Sequence, residues 1–104
     1  MAQENETMKI QNKALLDNFT EKHADVRNAL QRWVEDIEDA EWKSHNELKF
    51  AFPSADYVGN QRYVFNIKGN KYRIVVVVVF IAGLLTIRFI GTHAEYDKIS
   101  CNTI

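Results

Sequence analysis

The sequence predicts an α+β domain, with helices gathered in its first half and a small antiparallel sheet in its second. Three observations carry this. Between Arg73 and Arg88 the chain runs fourteen residues without a charge, five of them the consecutive valines Val75 to Val79. β-branched side chains lose rotamer freedom in a helix and pack well on a sheet. The run is also too short to cross a bilayer as a helix, which takes about 20 apolar residues. It therefore reads as two buried strands folded at Ala82-Gly83, where Gly83 supplies the positive φ that hairpin turns often require. Upstream, Val26, Ala29, Leu30, Trp33, Val34 and Ile37 step by three and four, the spacing of one buried helical stripe. Finally, 104 residues at 46% hydrophobic content suffice for a single modest core.

Each element follows in order. Residues 1–7 are polar and read as a flexible leader, so the domain is expected over 8–104. Met8-Lys9-Ile10 is a short first strand. Asn12 is a candidate N-cap for a helix running to about Lys22, with Ala14, Leu15, Leu16 and Phe19 on one side. The second helix is expected from about Ala24 to Ala40. Its C-terminal end is crowded with Glu35, Asp36, Glu38, Asp39 and Glu41, the wrong sign for the helix dipole and read here as a tolerated solvated face. Ser44-His45-Asn46-Glu47 has the form of a capping box and opens a short helical turn that ends before Pro53. Arg62 to Ile67 alternates as a strand, Lys68-Gly69-Asn70 turns, and Lys71 to Phe80 and Leu84 to Gly91 complete the sheet. Thr92-His93-Ala94-Glu95 is a second capping box, opening a short C-terminal helix.

The formal net charge of −1 hides a split. Residues 1–47 carry eleven acidic and six basic side chains, and residues 48–104 carry three acidic and seven basic. The second half can therefore present a cationic surface to a phosphate although the whole chain is nearly neutral. The single cysteine, Cys101, excludes an internal disulfide and fits a reducing compartment. The first residues do not form a signal peptide, so the expected location is the cytoplasm.

No Cys-x-x-Cys pair, glycine-rich phosphate loop or Gly-x-Ser-x-Gly elbow occurs, and His23, His45 and His93 lack metal-ligand spacing. No metal and no cofactor is expected. What remains is a cationic and proton-carrying set in the second half: Lys49, Arg62, Lys71, Arg73, Arg88, His93 and Tyr96. A hairpin folded at Ala82-Gly83 brings Arg73 level with residue 91 or 92, so Arg73, Arg88 and His93 can gather at one end of the sheet. His93 and Tyr96, three apart on a helix, share a face. Such a set can hold a phosphate and move protons around it. The residues alone equally allow a histidine that decorates a helix start and a tyrosine that packs in the core.

Four stretches taken together decide between these readings. Lys49-Phe50-Ala51-Phe52-Pro53-Ser54-Ala55-Asp56 is followed by Phe65-Asn66-Ile67-Lys68-Gly69-Asn70-Lys71-Tyr72-Arg73. Ile87-Arg88 and Thr92-His93-Ala94-Glu95-Tyr96-Asp97 come later in the same order. Together they resemble the HigB-type toxins of bacterial toxin–antitoxin pairs, over about residues 9 to 98. The resemblance implies a RelE-like fold, a small antiparallel sheet with two N-terminal helices packed on one side and a short C-terminal helix. It implies a metal-independent endoribonuclease that cuts messenger RNA, typically on the translating ribosome, and a cognate helix-turn-helix, DNA-binding antitoxin. Carried over by motif, Arg73 and Arg88 contact the scissile phosphate, His93 and Tyr96 transfer protons, and Lys49 and Lys71 are further phosphate contacts. The alternative is a catalytically inactive binding subunit of such a complex. The apolar hairpin at 80–85 departs from the pattern and is a candidate surface for the antitoxin or for self-association.

Overall fold

The computed structural model describes residues 7–104; the expected leader, apart from Thr7, lies outside them. The order is β1 (Lys9–Gln11), α1 (Ala14–Lys22), α2 (Arg27–Glu38), α3 (His45–Ala51), β2 (Asp56–Gly59), β3 (Arg62–Ile67), β4 (Tyr72–Val79), β5 (Leu84–Thr92) and α4 (His93–Tyr96). One five-stranded sheet runs β1-β5-β4-β3-β2. Strands β3 to β5 are antiparallel, as expected, and β2 adds antiparallel to β3, but β1 joins β5 in parallel, so the sheet is mixed. A strand of three residues carries too little pattern to reveal its partner's direction.

Why the valines run together, rather than alternate, is settled by the sheet's two faces. Val76 and Val78 point into the main core with Tyr63, Phe65, Ile74, Leu85, Ile87 and the helical residues Leu16, Leu30, Trp33 and Ile37. Trp33 meets Phe65 edge to face, with ring centroids 5.4 Å apart. Val64 and Val75, paired across β3 and β4, are outside that cluster and still buried. On their side α4 packs against β4 and β5. The chain behind it is tied down by Asn60, which donates to Asn102 O (2.8 Å), and by Arg62, which donates to Ile104 O (2.9 Å). A central strand covered on both faces needs apolar residues at every position.

Several local expectations change. Asn12 is not the N-cap: Lys13 holds that position without a side-chain cap, while Asn12 sits at φ 73° and its amide donates to Ile87 O (2.9 Å). Asparagine tolerates the left-handed region, and here it turns the chain out of β1. The helix expected over Ala24–Ala40 is a 3-10 turn, Ala24–Val26, followed by α2. Its acidic end is met by Lys13, whose ammonium lies 2.5 Å from Glu38. Ser44 Oγ accepts from Glu47 N–H, but Glu47 turns back to Lys43 N–H, so only half of that box forms. β2 was not foreseen: it is four residues long, and an irregularity between Tyr57 and Gly59 breaks the alternation that marks a strand. The hairpin folds through a 3-10 turn, Phe80–Ala82, and Gly83 takes φ 66° as its role requires.

Gly91 is a glycine for a different reason. A Cβ there would lie 2.5 Å from Phe89 Cζ and 2.7 Å from Glu95 Oε1. Gly91→Ala is expected to destabilise the protein by about 1–3 kcal/mol, the usual range for overpacking, read as a lower urea midpoint.

Candidate active site

The site begins with a register. Arg73 on β4 pairs with Gly91 on β5 and Asn66 on β3, two positions from the buried Val75 on the same face. His93 N–H donates to Lys71 O (3.3 Å), so α4 starts beside the first residues of β4. The full capping box forms there: Glu95 N–H donates to Thr92 Oγ1 (3.2 Å) and Thr92 N–H to Glu95 Oε1 (2.9 Å). A four-residue helix has almost no stability of its own. The box and the β4 contact set its direction, which lays the Tyr96 ring against the Arg73 guanidinium at 4.8 Å. Arg73 Nε is buried without a hydrogen-bond partner. Nε is thus shielded while the residue as a whole stays partly exposed, and the aromatic face holds the cation.

Tyr96 donates its hydroxyl to Cys101 Sγ (3.4 Å). Burial, then the bond to Cys101, push the phenol up to about 12 against the opposing pull of Arg73. At neutral pH the hydroxyl is protonated, and its proton is directed at Cys101 Sγ. His93 is half exposed, with Nε2 3.6 Å from Asp97 Oδ1. Arg88 occupies a β-bulge: Val75 faces Phe89 and Val76 faces Ile87, leaving Arg88 as the extra residue. The bulge lets Ile87 face the core while Phe89 pairs with Val75 on the other face, and it leaves Arg88 exposed.

The structure thus brings Arg73 and Tyr96 into contact and sets His93 and Arg88 on the adjoining stretch of β5 and α4. The two lysines are engaged elsewhere. Lys49 donates to the carbonyls of Pro53 (3.0 Å) and Ala55, closing the end of α3. Lys71 reaches Asp25 Oδ2 at 2.8 Å. Asp25 also accepts from the Tyr72 hydroxyl at 2.8 Å and lies 3.5 Å from Lys68, so it pins the 3-10 turn before α2 to the β3–β4 turn. Hydrogen bonds from Lys71 and Tyr72 hold its carboxyl far below the usual carboxylate range. A depressed acid contributes stability above its unfolded value of about 4 and loses it as the pH falls toward its folded one. Asp25→Asn is therefore expected to melt below wild type at neutral pH, with the gap narrowing as the pH drops below about 4. Sequence reasoning missed Asp25, Asn66, Phe89 and Gly91. Only Asp25 carries a charge, and nothing in its spacing marks a partner in the β3–β4 turn.

Among the described residues no three His, Cys, Asp or Glu side chains gather as metal ligands would, and no helix is long and apolar enough to cross a membrane.

This architecture, with a part-buried arginine under a C-terminal tyrosine, defines a small toxin-like domain of the RelE type, and comparison with known proteins agrees. A family model described as HigB_toxin, the RelE-like toxic component of a toxin-antitoxin system, matches residues 26–99. The mRNA interferase toxin HigB of Escherichia coli K12 is 37% identical over 91 residues, covering 85% of this chain and 86% of the relative. The mRNA interferase HigB of Escherichia coli O6:H1 is 28% identical over 95 residues, covering 89% and 92%. The chain belongs to the HigB family of toxin–antitoxin toxins.

Proposed function

We propose that this chain is a metal-independent messenger-RNA endoribonuclease, the toxin of a type II toxin–antitoxin pair. The observation that carries the reading is the part-buried Arg73 guanidinium packed against a tyrosine that keeps its proton. In the reaction, the RNA 2′-oxygen attacks the adjacent phosphorus and the bond to the 5′-oxygen breaks, leaving a 2′,3′-cyclic phosphate. His93 takes the proton from the 2′-hydroxyl. Tyr96 gives one to the departing 5′-oxygen. Arg73 and Arg88 stabilise the charge that grows on the phosphoryl oxygens. Lys49 and Lys71 contribute to the field that attracts the RNA backbone. The reaction takes place in the cytoplasm, on translating ribosomes, and a helix-turn-helix antitoxin silences it. The apolar hairpin supports a protein contact in that complex, since Ile81 is 98% exposed.

Expression of the chain alone should arrest growth with loss of messenger RNA. Cleavage by the purified protein should persist in EDTA and leave cyclic phosphate ends or their hydrolysis products. A harmless wild type, or activity that vanishes with chelator and returns with magnesium, overturns the reading.

A further inference from the structure

We propose that the cleft between α1 and the free edge of β5 is a nucleotide subsite, in which Phe89 stacks on a base flanking the bond to be cut. This rests on the RNA-cleavage reading above. The cleft measures about 720 Å³ and is lined by Phe19, Glu21, Lys22, His23, Phe89, Ile90 and Glu95, among others. Three features make it a base site.

The first is its rings. Phe19 and His23 stack with centroids 4.3 Å apart and planes 22° from parallel. Phe89, part buried, lines the same cleft. Unstacked RNA bases are bound on such aromatic faces.

The second is main-chain polarity. β1 pairs with β5 only from Leu84 to Thr86, and the Asn12 amide takes Ile87 O. Among the described residues no strand pairs with this edge of β5 beyond that point. His93 N–H points to β4 and Thr92 N–H to Glu95. The alternation of an antiparallel ladder then turns the N–H and C=O of Ile90 away from β4, towards the cleft. One donor and one acceptor side by side can meet the edge of a base.

The third is continuity with the candidate active site. Phe89 lies against Gly91, the cross-strand partner of Arg73, and follows Arg88 directly. A base on Phe89 places its phosphate beside these arginines. Lys22 adds a positive charge, and of the two carboxylates in the lining Glu95 is already occupied by Thr92 N–H.

The test walks a single abasic position along a cleaved oligoribonucleotide, free or programmed into ribosomes, whichever wild type cuts. At one position beside the cut, base removal should lower kcat/KM for wild type by about tenfold, near the low end of what one base stacked on an aromatic ring contributes. Phe89→Leu should lose the same factor on the intact substrate and nothing further on the abasic one. Phe89→Tyr, which keeps the ring, should retain the discrimination and so shows that the leucine effect is not misfolding. If base removal costs wild type nothing at any position, or if Phe89→Leu still discriminates, the subsite is refuted. The free edge would then be left to an extended peptide. If wild type cuts no RNA in either format, the cleavage reading fails first.

Discussion

Arg73→Ala is expected to lower kcat by roughly 10²–10³-fold, the usual cost of removing one preorganised group that stabilises transition-state charge, and to abolish growth arrest. The guanidinium is part buried and lies 4.8 Å from the Tyr96 ring, so its field at a bound phosphate is less screened than that of a fully exposed cation. Arg73→Lys should recover only part of the activity. An ammonium keeps the charge but not the flat face that stacks on the ring or the fork that matches a phosphate. Val64 and Val75 remain buried in either variant, so circular dichroism should show a folded protein. An Arg73→Ala variant that cuts RNA at the wild-type rate would remove Arg73 from the site.

The second large effect is expected at Tyr96 and His93. Proton transfer by a positioned side chain is typically worth about 10²–10⁴-fold. Tyr96→Phe keeps the ring on Arg73 and removes only the hydroxyl, so its loss of rate isolates the proton. The phenol is pushed up to about 12, so the plateau should drop without a shift of the acid limb of the pH–rate profile. His93→Ala should slow single-turnover cleavage within the same range, with little change in RNA affinity. The double variant should lose less than the product of the single losses, as groups acting in one step do. A Tyr96→Phe variant with full activity would reduce the tyrosine to a support for Arg73. The raised phenol also makes stability fall as the pH rises above about 10, because the folded state holds the proton more tightly than the unfolded chain.

Much of this molecule was legible in its residues because the signals are local. The valine run, the stripe from Val26 to Ile37, Gly83 at its turn and the Thr92 capping box each depend on neighbours a few positions away. Even the Arg73–Gly91 pairing followed from counting back across one hairpin. The direction of β1, the existence of β2 and the positive φ of Asn12 did not, because each depends on what a distant strand presents. Asn12 gives up its expected capping role to reach Ile87, 75 positions on.

The candidate site divides in the same way. Residue type by itself marked a wider cationic and proton-carrying set, Lys49, Arg62, Lys71, Arg73, Arg88, His93 and Tyr96, and the resemblance to HigB-type toxins singled out Arg73, Arg88, His93 and Tyr96, with Lys49 and Lys71 as further cations. Tertiary structure decided which of them meet. It laid Tyr96 on Arg73, sent Lys71 to Asp25, and folded Lys49 onto the end of α3. It also turned Phe89 across Gly91 to face the cleft. A cation's chemistry is written in its type, but its partner is chosen by whichever acceptor the packed chain brings within about 3 Å, and that choice is made across the fold rather than along it.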